Sequence, residues 1–532
     1  MRGIHSESKQ ERYDAVIIGA GLGGLSTAAL LAKAGKSVLL VERHDRPGGY
    51  AHGFRRRNYH FDSGVHLVSG CGAQGYANGS TIYKICSSLG IDADAIFLPL
   101  SSYAQVVFPE LELVLHSGEE AFITEMGLHF PEERDNLLRL LRLCKTLAEE
   151  ALLAEETLKQ SRHTRKPPTQ TLAHLFRYRR TTLAEALDEF LVAPGLKSAC
   201  ASLWPYLGLP PSQLSFLYWA SMMAGYTYEG AYYCRGSFQN YANRLAQAIE
   251  DYNGEVLLNA SVRRICVENG KAVGIVLENG QRIQAQTVVS NVDAHQTAEL
   301  LIGREHWPVG FGNHLEKLSS TLSIFASYIA TDLPLTAAAH HESFFYTSFD
   351  HEAAHAATLN GEPNWFSVTL PSLTDPSIAP PGHHVLLLTT LCPFDIGQSW
   401  RQAKSGFQKM LLEKAEQFFP GLNQHLLHIE SGSPRTLERY TLNHKGAAYG
   451  FAPTPDQIGP NRPDVRGVLP GLYHTGHWTR PGGGVAGVSI SAQLAAQAIL
   501  NIPNQVEFWA SLGVPTAQSH PERQDNACPS LS

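Results

Sequence analysis

Gly19, Gly21 and Gly24 carry the first chemistry in this chain, within the segment Gly19-Ala20-Gly21-Leu22-Gly23-Gly24. A GxGxxG spacing serves a dinucleotide pyrophosphate. The first glycine permits the tight turn, the second lets backbone approach phosphate, and the third lets a helix lie close on a strand. Glu42 follows Gly24 by 18 residues, near the spacing at which an acid receives a ribose diol, and Arg43 adjoins it. A second glycine pair, Gly48-Gly49, comes next. His52 and His66 follow, imidazoles that titrate near neutral pH and are the candidate proton donors or acceptors. His351-Glu352-Ala353-Ala354-His355 is a literal HExxH, which on a helix would set two imidazoles and a base around zinc. It has no HxxGxxH continuation, and a chain with 24 histidines meets such a pattern by chance, so no metal is expected. His340-His341 and His383-His384 read as loop or surface residues.

The elements that must hold these groups follow from periodicity. Residues 14–18 are an apolar run suited to a buried strand, which leads directly into the glycine turn; residues 25–34 predict a helix stopped by Gly35. Residues 37–41 predict a second strand ending at Glu42. Strand, turn, helix and strand thus set GxGxxG where a helix N-terminus faces phosphate. Further on, residues 132–159 carry leucines at near-helical spacing, the mark of a core helix. The run Phe216-Leu217-Tyr218-Trp219-Ala220-Ser221-Met222-Met223 leaves little room for a polar face and reads as core or as the wall of an apolar tunnel.

At 532 residues the chain has length for roughly two to four domains. Its 42 basic residues against 49 acidic ones give a net charge of −7, so it lacks the basic footprint of a nucleic-acid binder. Charged residues make up only 17%, against ~25% in an average soluble domain, so much of the chain should face something other than bulk water. Eight cysteines without a CxxC pair read as reduced thiols, and the polar first twelve residues hold neither an apolar segment nor a cleavage site; a cytoplasmic location is expected. Residues 198–228 are free of charge, but Pro205, Gly208, Pro210 and Pro211 break the run. No spanning helix is expected there, only shallow lipid contact. Lys159, Arg162, Arg165, Lys166, Arg177, Arg179 and Arg180 form a basic block without an acid, a solvated loop or a docking site for anionic lipid. Residues 505–532 read as a disordered tail.

In its terminal segments the chain resembles the FAD-dependent carotenoid desaturases, carotenoid cis-trans isomerases and retinol saturases. The likeness rests on Glu42, Gly48-Gly49 and Phe61-Asp62-Ser63-Gly64 after the glycine turn, and on a returning signature that runs from Leu469 through Gly476 to Gly482-Gly483-Gly484-Val485. It covers most of residues 12–502. Between the two, residues 253–291 match the family's second FAD block, in which the residue equivalent to Val262 meets adenine through its backbone. Asp375-Pro376-Ser377-Ile378-Ala379-Pro380 resembles a stretch of the family's substrate domain. His52 and His66 look closest to the retinol-saturase branch. The chain departs from the pattern at Cys234-Arg235-Gly236-Ser237, where the family usually has PxGG, and at His477, where many relatives carry an acid beside the flavin ribityl chain.

The resemblance implies an α/β fold: a Rossmann-type FAD-binding domain, glutathione-reductase-like or amine-oxidase-like, with a discontinuous α+β substrate domain. Residues 12–70, 232–300 and 434–502 would form the first, and 71–231 with 301–433 the second. FAD would be held by Gly19, Gly21, Gly24, Glu42, Arg43, Gly48, Gly49, Val262, Gly476, Gly483, Gly484 and Val485. The implied activity is oxidoreduction of a polyene or other isoprenoid lipid, with carotenoid desaturation or cis-trans isomerisation first. Retinol-saturase-like reduction and flavin amine oxidation are the alternatives, and a catalytically idle flavoprotein is the remote one. A polyene offers almost nothing to hydrogen-bond, so selectivity would lie in tunnel shape, and its residence in the bilayer implies peripheral membrane attachment. The sequence says nothing of oligomeric state.

Overall fold

The computed structural model describes residues 7–73, 80–164, 169, 171–308, 310–335 and 339–514. Strand β1 (Arg12–Ile18), helix α1 (Leu22–Lys33) and strand β2 (Val38–Val41) form the first unit. Val16, Ile17, Leu39 and Leu40 are wholly buried, as strands covered on both faces must be. β2 lies parallel to β1, Glu255–Leu257 lies parallel beyond β2, and Arg282–Ser290 and Leu472–His474 extend the parallel layer on the other side. Arg282–Ser290 also closes an antiparallel meander with Lys271–Leu277 and Val262–Glu268. Helices α1, Phe238–Asp251 and Val485–Ile499 share one apolar cluster with β1 and β2, while the meander shares another, so the parallel layer is covered on both sides. Segments from both ends and the middle of the chain therefore build one dinucleotide-type layer.

A second sheet runs in the order Leu426–Gly432, Ser323–Thr331, His384–Cys392, Trp365–Thr369, Glu342–Tyr346, Ser102–Phe108, Leu111–His116. Its pairs are antiparallel except Glu342–Tyr346 with Ser102–Phe108. Side chains alternate along a strand, so Phe325, Ile329, Leu386 and Leu388 join the cluster containing Trp400 and Leu411 of the helix Trp400–Glu416. Ile324, Ala326, Tyr328, Leu387 and Thr389 face a cavity on the other side. Helices Arg134–Thr164 and Phe216–Tyr228 cover that side, the first through Leu137, Leu140, Leu141, Cys144 and Leu147, which recur at helical spacing and are buried.

Three expectations change in the fold. Residues 198–228 pack mainly as core: Trp204, Phe216 and Trp219 are fully buried, only Ser212, Gln213 and Ser221 are exposed, and Leu217, Tyr218 and Met222 are half-buried. Packing against Arg134–Thr164 satisfies the apolar surface that looked available. The tail is ordered at its start. Asn504 caps the helix Gln505–Ser511 by accepting the Glu507 N–H, and Phe508, Trp509, Leu512 and Val514 are buried, an apolar set that repays the ordering entropy. Residues 515–532 lie outside the described residues. In the basic block, Arg177 pairs with Glu189 at 2.6 Å, an acid supplied from the helix Leu183–Phe190; Arg165 and Lys166 lie outside the described residues.

Candidate active site

A cavity of about 1350 Å³ begins at the glycine turn and continues between the second sheet and the helical layer. Gly19 takes a φ of +94°, and Gly21 stands at the N-cap of α1. A Cβ on Gly24 would lie 2.1 Å from the Gly19 carbonyl oxygen, so helix and turn meet only because no side chain is there; Gly24 sits behind the cavity wall. The Gly48 N–H donates to the Ala20 carbonyl at 2.7 Å, which ties the second glycine pair to the first turn. Glu42 Oε2 accepts the Ala20 N–H at 2.7 Å and Oε1 accepts the His44 N–H at 2.8 Å, and each oxygen keeps a further lone pair. Gly19, Gly21, Glu42, Arg43, Gly48, Gly49 and Val262 all line the cavity.

The returning C-terminal segment completes this end. Gly476 donates its N–H to Ser491 Oγ at 2.8 Å, and Gly483, Gly484 and Val485 bring the N-terminus of Val485–Ile499 to the cavity. Asn291 sits among these glycines. Its Nδ2 donates to the Gly19 carbonyl at 3.3 Å, and its Oδ1 would be 2.7 Å from a Cβ on Gly23 and 2.4 Å from one on Gly476. The sequence reading noted Asn291 only within a longer match. A glycine-lined floor, two helix N-termini and a carboxylate with spare acceptors fit the pyrophosphate and ribose of FAD.

The two candidate histidines have different neighbours. His52 Nδ1 donates to the Gly49 carbonyl at 2.8 Å, and its ring lies 5.5 Å from that of His44, so it braces the glycine pair. Burial lowers its affinity for a proton. His66 lies in the aromatic part of the cavity: its Nε2 is 3.2 Å from Glu342 Oε2 and 3.3 Å from the Tyr206 hydroxyl. Burial alone would depress the imidazolium, but the Glu342 carboxylate, helped by Asp62, outweighs it and holds His66 above its ordinary value. Glu342 and Tyr206 were missed by sequence reasoning. A lone acid directly before the apolar strand residues Ser343–Tyr346 is the signal that could have flagged Glu342; nothing marked Tyr206. His341, read as a surface residue, is buried, and its Nε2 donates to the His66 carbonyl at 3.0 Å.

The remaining motifs are structural. His351 Nε2 donates to the Ser198 carbonyl at 2.8 Å while Nδ1 accepts the Trp204 indole N–H at 3.1 Å, and Glu352 accepts the Ser212 N–H and hydroxyl at 2.8 and 2.7 Å. HExxH thus pins its helix onto the Trp204 layer. Asp62 of the FDxG segment accepts the Phe238 N–H at 2.9 Å and the Tyr233 hydroxyl at 2.8 Å. His477, where the resemblance implies an acid, lines the cavity half-buried and is pushed down to about 3 by desolvation and by Arg462, so it is a neutral ring. Arg462 is itself buried, donating to the Pro481 carbonyl at 3.2 Å and to the Phe451 carbonyl.

The profile of the flavin-containing amine oxidoreductases matches residues 22–500. The chain is 28% identical over 515 residues to the chloroplastic prolycopene isomerase of Daucus carota, covering 92% of this chain and 80% of that protein. It is 26% identical over 518 residues to the all-trans-retinol 13,14-reductase of Homo sapiens, covering 88% and 82%. Among solved structures, an oxidoreductase from Methanosarcina mazei superposes with a TM-score of 0.63 at 19% identity, over 92% of this chain and 99% of that one. Putrescine oxidase bound to putrescine superposes at 0.62 and 15% identity, over the same shares.

Proposed function

This chain belongs to the flavin-containing amine oxidoreductase family, and from that premise we propose that it uses its FAD to desaturate a polyene or related isoprenoid lipid or to isomerise its double bonds. The observation that carries this reading is the continuity of the cavity. Past the glycine floor its wall includes Leu67, Leu207, Met222, Phe344, Trp365 and Leu391, a largely apolar surface suited to a long apolar chain, with His66 and Tyr206 among its few polar groups. The similarity to an isomerase of prolycopene and a reductase of retinol points the same way. Bound FAD supplies two-electron chemistry. The chain supplies alignment, exclusion of water and, at His66, a group that holds or accepts a proton. His52 would position the pyrophosphate turn.

A second reading, reduction of a polyene double bond, is favoured by the His66–Glu342 pair, whose carboxylate raises the proton affinity of the imidazole, since adding hydride to a double bond also consumes a proton. No helix among the described residues is long and apolar enough to cross a membrane. The cavity reaches the surface beside Leu153 and Val506, 50% and 63% exposed. We therefore place substrate entry there, against a lipid surface, rather than at residues 198–228.

The test is to purify the protein, record its flavin spectrum, and incubate it with cis- and trans-carotenoids and retinol under oxidising and reducing conditions. A new or rearranged polyene spectrum supports the proposal. An intact flavin spectrum with no change in any polyene would end it.

A further inference from the structure

Behind the aromatic part of the cavity, against His66, lies a buried acid whose presence packing does not explain. Glu342 is 1% exposed; Thr369 Oγ1 donates to its Oε2 at 2.7 Å, while its Oε1 has no hydrogen-bond partner among the described residues. A carboxylate held so incompletely costs stability that an apolar residue would not. His66 faces it, with Nε2 3.2 Å from Oε2, and the Tyr206 hydroxyl lies 3.3 Å from the same His66 Nε2. Tyr206 packs edge-on against Phe344 at 5.2 Å, and Tyr206, Phe344 and His66 all border the cavity.

We propose that Glu342, His66 and Tyr206 form a proton relay in which the Tyr206 hydroxyl exchanges a proton with a substrate carbon, His66 re-protonates the phenolate, and Glu342 is the positioning residue that holds His66 Nε2 beside Tyr206. This rests on the polyene reading. In the reducing direction bound FAD would supply a hydride to one carbon of the double bond, and the other carbon takes the Tyr206 proton through the π pair. The phenolate then takes the Nε2 proton of His66, leaving a neutral imidazole. The polyene gains the two electrons that reduced FAD would supply. Desaturation runs the same path backwards.

The surroundings suit these roles. Burial, with Glu342 beside it, holds the Tyr206 phenol far above its usual range, so it stays protonated until a carbon demands the proton. Besides Glu342 and Tyr206, the titratable groups that bear on the pair are Asp62, His341, Tyr226 and Tyr449; His341 is pushed down to about 4 by burial and is neutral.

The test uses the FAD-loaded protein and the Tyr206→Phe, Glu342→Gln and Glu342→Asp variants. All three should keep the flavin spectrum and bind polyene. Tyr206→Phe should lose about 100-fold in kcat with little change in KM. Titrated by NMR of its ring carbons, His66 should have its midpoint above 6.5 in the parent, below that in Glu342→Gln, and restored in Glu342→Asp; the pH–rate limb should move with it. A Tyr206→Phe variant with full turnover, or a His66 midpoint indifferent to Glu342→Gln, would overturn the relay. If the parent converts no polyene, the substrate reading falls, and the NMR arm still decides whether Glu342 governs His66.

Discussion

Both oxygens of Glu42 already accept a backbone N–H, so a ribose diol would be the third party to a carboxylate that also fixes the glycine turn and the start of the next loop. Glu42→Ala should raise the Kd for FAD by about 10- to 100-fold, the loss of a charge-assisted hydrogen bond of roughly 1.5–3 kcal/mol, without unfolding the chain. Flavin fluorescence titration of apoprotein measures it; an unchanged Kd would assign the ribose to another acid. Gly21→Val should leave the protein colourless, because the new Cβ would stand 2.9 Å from Asn291 Nδ2 before its methyls reach toward the pyrophosphate. These residues were legible because turn and ribose chemistry is set by short spacings. Glu342 and Tyr206 were not, since they meet His66 only through the register of a strand and a short helix far along the chain.

At the scale of elements, Ser237 shows what a departure from the family pattern does to backbone. It sits at φ +89°, where a glycine rests without strain, at the entrance to Phe238–Asp251. Ser237→Gly should relieve about 1 kcal/mol of strain against a few tenths lost with its capping hydroxyl, giving a small rise in Tm; a fall would show that the hydroxyl matters more. The HExxH helix offers a pH test. His351 must keep Nδ1 unprotonated to accept from Trp204, and burial pushes it down to about 4. The unfolded chain takes up a proton near 6.5 that the fold refuses, so stability is full above that pH and falls as pH drops toward 4. His351→Gln should flatten that slope by up to about 1.4 kcal/mol per pH unit in the same window, as read by denaturant titrations across pH; an unaltered slope would mean that His351 is charged. The first strand–helix–strand unit could be read from periodicity alone. Residues 198–228 left lipid contact open beside the core reading because a run apolar on every side looks the same whether lipid or protein covers it, and the helix at 505–511 is hidden by the polar sequence that follows.

For the whole molecule, selectivity should reside in the shape of one cavity rather than in polar contacts. Met222, on the helix Phe216–Tyr228, borders it. Met222→Trp should raise KM for a long carotenoid at least about tenfold while sparing a shorter retinoid and the flavin spectrum, the discrimination expected where a wall rather than a hydrogen bond does the sorting. Equal losses for both would locate the substrate elsewhere. The Asn291 junction has a consequence for biogenesis. The glycine turn is made within the first two dozen residues, yet the surfaces that Asn291 joins come from the middle of the chain and from Gly476. During synthesis the site at the glycine turn therefore cannot close until Asn291 and then Gly476 have emerged. Flavin retention becomes a readout of that meeting: a ribosome stalled before Gly476 holds a chain that cannot keep its colour, and yellow protein is protein in which the glycine turn and Gly476 have met across Asn291.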